Sequence, residues 1–369
     1  MKKIKGDFMT IPKIPGRIET IKKFKESRGK IAAIFPIHYP RALFRAYNIL
    51  PVEVWGPTGA DTSYSTAYLQ PYVCSIAQSA LAYLLTGDLD ITDIVVAPHT
   101  CDSLQGLGSI LLDFIKPKQS VITIYYPRDK RDVDVEYLAN EFKSVGEQLS
   151  KITGIKLTDK KLKEAIVREE EADDLLKQLY ENKVYLDYND TEFYKIIRAR
   201  EYLPAEEFTI IANEALQNKT EKEKTGIPII VTGIVPEPKG LLKVINELNG
   251  RIVADDFACC GRKLYVKGKS SNPYKYMAES LIFAVPDSSR ENSINDRANY
   301  LVNLAKKYGA KGVLIYEVKF CEMELYYIPQ VRERLKEEGL NSVIIEVDIN
   351  DSLPHQTITR LEAFLEVIE

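Results

Sequence analysis

The stretch DIVVAPHTCDSLQGLGSILLDFIKPKQSVITIYYP, residues 93–127, decides the fold. Its opening run, IVVAP, is short, uninterrupted and β-branched, the mark of a strand buried on both faces. LQGLGSILLDFI then spaces its apolar side chains as a helix does, and SVITIYYP is a second buried strand closed by proline. Strand, helix and strand in such close succession make a parallel unit with a crossover helix.

The same alternation extends outward. Before it stand a strand in KIAAIFPIHYP (30–40), a helix in ALFRAYNI (42–49), a strand in LPVEVWGPTG (50–59) and a helix around Tyr72–Leu85. After it, residues 133–225 lose the strand signal and carry charges at helical spacing, as in KKLKEAIVREEEADDLLKQLYENK (160–183). Alternation resumes at IPIIVTGIV (227–235) and RIVADDFACCG (251–261). It runs on through AESLIFAVP (278–286), KGVLIYEVKFC (311–321) and NSVIIEVD (341–348) to a closing helix, TRLEAFLEVIE (359–369). The expected organisation is a leader and helix over 1–30, a first α/β domain over 31–132, a helical connecting segment over 133–225 and a second α/β domain over 226–369. The fold class is α/β, with two Rossmann/flavodoxin-like parallel-sheet domains.

At 369 residues and 45% hydrophobic composition the chain can bury more than one core. A net charge of −3 leaves no basic footprint for nucleic acid, and no apolar run reaches the roughly 18 residues of a membrane span. The polar, proline-broken opening MKKIKGDFMTIPKIPGR lacks a signal-peptide core, so a cytoplasmic protein is expected. Five cysteines in that setting do not suggest a disulfide framework.

Cys101, the adjacent pair Cys259 and Cys260, and Cys321 each follow a strand, whereas Cys74 opens a helix. Ligands of open α/β sheets gather beyond the carboxyl ends of the strands, so cysteines from both halves can meet in the cleft between them. The close pairs of structural zinc sites and the cysteine runs of ferredoxins are missing. A free cysteine is often just a small buried apolar residue, but PHTCDS and DDFACCGR are polar, turn-forming contexts. His38, Glu53 and His99 are candidate catalytic groups. His38 follows the first strand, Glu53 is a general base or half of a buried ion pair, and His99 moves protons or orients its loop. Trp55 is expected to form an apolar wall, and His355 to lie on the surface.

Four blocks carry a resemblance: PVEVWGPTGADTSYSTAYLQPYVCSIAQSAL (51–81), PHTCDSLQGLG (98–108), TGIVPEPKGLLKVINELNGRIVADDFACCGR (232–262) and GVLIYEVKFCEMELYYIPQVRERLKEEG (312–339). In this order they resemble the superfamily of 2-hydroxyacyl-CoA dehydratases, ATP-dependent benzoyl-CoA reductases and double-cubane-cluster proteins. The resemblance implies an iron–sulfur cluster in the interdomain cleft and a dimer, with an identical or a paralogous subunit. It also implies an ATP-hydrolysing activator with its own 4Fe–4S cluster as electron donor. The absence of a G-x-x-x-x-G-K-[ST] loop from this chain agrees with that division.

Carried over by motif, Cys74, Cys101 and Cys321 are the ligands of a single 4Fe–4S cluster. Cys259 and Cys260 exceed that set and favour the double-cubane branch, because adjacent thiolates can serve neighbouring irons, with Arg262 offsetting charge. The expected function is therefore reduction of small molecules at a double-cubane cluster. The alternatives are a subunit of a 2-hydroxyacyl-CoA dehydratase, a lyase of acyl-CoA substrates, and a non-catalytic electron relay.

Overall fold

The computed structural model describes residues 11–56, 59–290 and 292–369. The leader's first ten residues lie outside this range. Two parallel four-stranded sheets form within it. The first holds β1 (Lys30–Ile34), β2 (Ile49–Glu53), β3 (Ile94–His99) and β4 (Ser120–Tyr125), in the order β2-β1-β3-β4. The second holds β5 (Ile227–Gly233), β6 (Gly250–Phe257), β7 (Gly312–Val318) and β8 (Asn341–Val347), in the order β6-β5-β7-β8. One topology is thus used twice, although no sequence repeat announces it.

Each sheet is sandwiched, which is why its central strands are apolar throughout. On the first, Ala32, Ile34, Ile94 and Val96 pack on Leu138 and Phe142 of the helix Asp132–Thr153. Ala33, Val95 and Phe35 face the helices Ser75–Leu85 and Asp102–Ile110. On the second, Ile230, Val313 and Ile315 pack on Ile294–Lys307 and Ile328–Glu337. The opposite face joins the connecting segment in a core that also takes in Ile37, Trp55 and Ile76 from the first half.

The connecting segment is helical, as its charge spacing predicts: Asp132–Thr153, Asp159–Glu181, Asp190–Ala199 and Ala205–Gln217. In Asp159–Glu181 the buried stripe Leu162, Ala165, Ile166, Glu169, Ala172, Leu176 and Leu179 follows the helical period. The charged member, Glu169, is buried against Arg200 at 2.7 Å. AESLIFAVP, which the alternation makes a strand, instead closes the helix Pro273–Ile282. That helix leaves the second half and lays Met277, Ala278, Leu281 and Ile282 on the core of the first sheet. Among the described residues no helix is long and apolar enough to cross a membrane.

Candidate functional site

In both sheets the strand order reverses between the first and third strands, and such switch points open a crevice at the carboxyl ends. Here the two crevices form one cavity of about 530 Å³. Its wall takes Pro36 and Ile37 from beyond β1, Thr100 and Cys101 from beyond β3, Ile234 from beyond β5 and Cys321 from beyond β7. Cys74 enters from the head of the helix Ser75–Leu85. Three of the five cysteines therefore meet at one site, and all five are free thiols.

Each of the three is the residue just before a helix. Backbone N–H groups of Ile76 and Ala77 donate toward the Cys74 sulfur, and those of Ser103 and Leu104 toward Cys101. These amides favour thiolate, but burial outweighs them. Burial raises the Cys74 thiol, pushes Cys101 up to about 12, and lifts Cys321 well above the usual range, with the other two thiols adding to the rise at Cys321. Three neutral thiols that share a cavity lined, among the described residues, by no Lys or Arg are sulfurs a bound metal centre would deprotonate.

The donor set fits a thiolate-held cluster. In a cubane each sulfur binds a different iron, so the ligands stand farther apart than around one ion. Among the described residues no group of three or more His, Cys, Asp or Glu side chains is placed to hold a single metal ion. Thr100, 2% exposed, also lines the cavity and its hydroxyl has no partner. Trp55 forms part of the apolar wall, as expected, together with Ile76, Met323 and Tyr327.

Cys259 and Cys260 are placed elsewhere. They follow β6, an edge strand away from the switch point, and are 3% and 1% exposed in the apolar core. Their sulfurs lie 3.2 Å apart, and burial lifts Cys260 well above the usual thiol range. Ile234 stands between them and the cavity, its carbonyl accepting from the Cys259 amide at 3.1 Å. Arg262 does not face the cavity either: it is fully buried among Asp256, Asp287 and Glu324.

His38, Glu53 and His99 also lie outside the cavity wall. His38 is 1% exposed, with Nδ1 3.0 Å from the Tyr265 hydroxyl and Nε2 3.2 Å from Asp287. Arg262 and His38 hold the Asp287 carboxyl well below the usual range despite burial. As an acceptor it selects the Nε2–H tautomer, and burial lowers the His38 pKa. Ile37 and His38 have φ values of 79° and 31°, a conformation rarely adopted by a β-branched residue. His99, by strand alternation, turns under the helix Asp102–Ile110 and meets Tyr125 edge-on at 4.4 Å. Glu53 accepts from Trp55 Nε1 at 2.7 Å and Tyr39 at 2.9 Å, and pairs with Lys263. Although burial opposes it, Lys263 and Arg41 draw its pKa down, so it is a buried ion pair rather than a base facing the cavity. His355 is exposed, as expected.

Glu317 escaped the sequence reading, although a glutamate inside the apolar strand GVLIYEV is itself a signal. It is 1% exposed, its Oε1 has no partner, and burial pushes its pKa up to about 9. Between the unfolded value near ~4.3 and that raised one, the folded chain holds a proton that the unfolded chain has released. Its contribution to stability is present below the lower value and lost as pH rises through the upper. Glu317→Gln keeps the shape without the titration. It should raise stability by roughly 1–3 kcal/mol at pH 9 and by less at pH 6, read from urea midpoints. Equal gains at both values would contradict the assignment.

Along nearly its whole length the chain is similar to the (R)-phenyllactyl-CoA dehydratase beta subunit of Clostridium sporogenes, 28% identical over 98% of both chains. The lactoyl-CoA dehydratase beta subunit of Anaerotignum propionicum is 27% identical over 94% of both. A benzoyl-CoA reductase subunit of Thauera aromatica is 26% identical over 84% of this chain and 83% of its own. These relatives are dehydratase and reductase subunits rather than double-cubane proteins, and they favour the dehydratase alternative over the expected double-cubane reductase. The family described as 2-hydroxyglutaryl-CoA dehydratase, D-component, matches residues 36–368. With nearly the whole chain matched, this protein belongs to that family.

Proposed function

We propose that this chain is a subunit of an ATP-activated enzyme acting on 2-hydroxyacyl-CoA thioesters, holding one 4Fe–4S cluster through Cys74, Cys101 and Cys321. The observation that carries the reading is the convergence of those three cysteines, and not the other two, on one cavity at both switch points. A cluster with three thiolate ligands supplies a redox-active iron with one open position. The chain's own residues do the rest. Ile37, Trp55, Ile76 and Met323 exclude water, the amides of residues 76–77 and 103–104 favour the charged thiolates, and Thr100 offers an unengaged hydroxyl. A partner subunit completes the enzyme, a reading supported by relatives that are themselves single subunits of dehydratases and a reductase, and a separate ATP-hydrolysing activator supplies the electron.

Iron and acid-labile sulfide analysis of anaerobically purified protein tests the reading, followed by acyl-CoA dehydration with an activator and ATP. About four irons per chain are expected; a colourless protein holding zinc would sink it. The pair Cys259 and Cys260 separates one cubane from two. Their joint replacement by alanine should leave the iron content unchanged and cost about 1–3 kcal/mol of stability through lost packing. Loss of half the iron would restore the double cubane.

A further inference from the structure

The turn after β6 serves both halves of the molecule. Asp255 builds it, accepting from the amides of Phe257 at 3.1 Å and Gly261 at 3.0 Å. A side chain at Gly261 would sit 2.3 Å from the Asp255 carbonyl, so only glycine fits there. Two neighbouring cations leave this turn in different directions. Arg262 forks onto Glu324 at 2.6 and 3.2 Å, in the short helix Glu322–Leu325 that begins directly after Cys321. Lys263 crosses to the first half and pairs with Glu53, whose other oxygen holds the indole N–H of Trp55. Trp55 and Cys321 lie on the wall of the same cavity.

We propose that the turn Gly261–Lys263 is a two-sided clasp, in which Arg262 sets the Cys321 helix and Lys263, through Glu53, sets Trp55. Lys263 and Glu53 are thus positioning residues of the cysteine cavity, with no contact to whatever fills it. The inference rests on that cavity being the functional site, but the geometry of the clasp exists without a bound cluster. Lys263 suits the task because its charge is nearly buried, 13% exposed on the side chain, against a carboxylate at 1%. Removing it leaves the buried Glu53 with only Arg41, at 3.8 Å, as a counter-charge and loosens the lever on Trp55.

Trp55 is the chain's single tryptophan, so its fluorescence reports the clasp directly. The full chain, purified anaerobically, is compared as wild type, Lys263→Met, Lys263→Arg and Glu53→Gln, with and without its iron. In iron-free Lys263→Met the Trp55 emission should move to longer wavelength and acrylamide quenching should rise severalfold. Lys263→Arg, which keeps the charge, should reverse most of both changes. Glu53→Gln, which keeps one acceptor for the indole, should give a smaller shift in the same direction; it serves should Lys263→Met not fold. In the iron-loaded, reduced protein Lys263→Met should change the EPR g-values, with Lys263→Arg again restoring them. A folded Lys263→Met with wild-type fluorescence and quenching overturns the clasp, and so does a Lys263→Arg that restores neither. A wild type that never takes up iron defeats the proposed function and leaves the fluorescence comparison to decide the clasp.

Discussion

Replacing Cys101 or Cys321 by serine should leave the protein folded but depleted of iron. A hydroxyl is a hard, weakly acidic ligand where the cluster needs a soft thiolate, and two remaining sulfurs do not hold a cubane. Iron should fall to about half or less of the wild-type content, and the brown absorbance with it. The fold is expected to survive because Cys101 is only half-buried and both residues lie just beyond strands whose ladders are complete without them. Iron and sulfide analysis with far-ultraviolet circular dichroism checks both parts. Retention of full iron by both variants would remove these cysteines from the ligand set.

The second large effect concerns stability. Arg262 is fully buried and donates to the Asp256 carbonyl at 3.0 Å, to Asp287 at 3.3 Å, to Ser288 at 3.2 Å and to Glu324 at 2.6 Å. Arg262→Met keeps much of the volume but strands carboxylates in the interior. Removing one partner of a buried ion pair costs about 3–5 kcal/mol, a large share of a domain's total stability. Urea unfolding of the iron-free protein should show that loss. Arg262→Lys should recover little of it, because an ammonium has no fork to reach Glu324 with two bonds. A loss below about 1 kcal/mol would mean that water or rearrangement had replaced the guanidinium.

The strands are legible in the sequence because each is a short apolar run between turn residues, and the connecting helices because their charges repeat at helical spacing. Cys101 and Cys321 are legible as residues of the cavity for the same reason, since both end such runs. Cys259 and Cys260 look identical by that test. What separates them is strand order, which makes β6 an edge and β7 a switch-point neighbour, and order is a property of pairing across the sheet. That His38 and Glu53 lie outside the cavity wall is not legible, because their partners, Asp287 and Lys263, stand 249 and 210 residues away along the chain. AESLIFAVP reads as a strand because a buried helix surface and a buried strand share the same apolar run at this length.

The helix Pro273–Ile282, which leaves its own half to join the core of the first, bears on how the protein is made. A ribosome releases the N-terminal half first, at about 5–20 residues per second. The helix Asp132–Thr153 covers the nascent first sheet, which already carries Cys74 and Cys101, but the outer layer on that helix waits for residue 282. Cys321 is about 220 residues behind Cys101, an interval of roughly 10–40 seconds at that rate. Through it Cys74 and Cys101 stand without the third thiol on a tethered chain. On the proposed reading, cluster loading is a step for the finished polypeptide, and the interval before it is when oxidants have their best access to the two thiols.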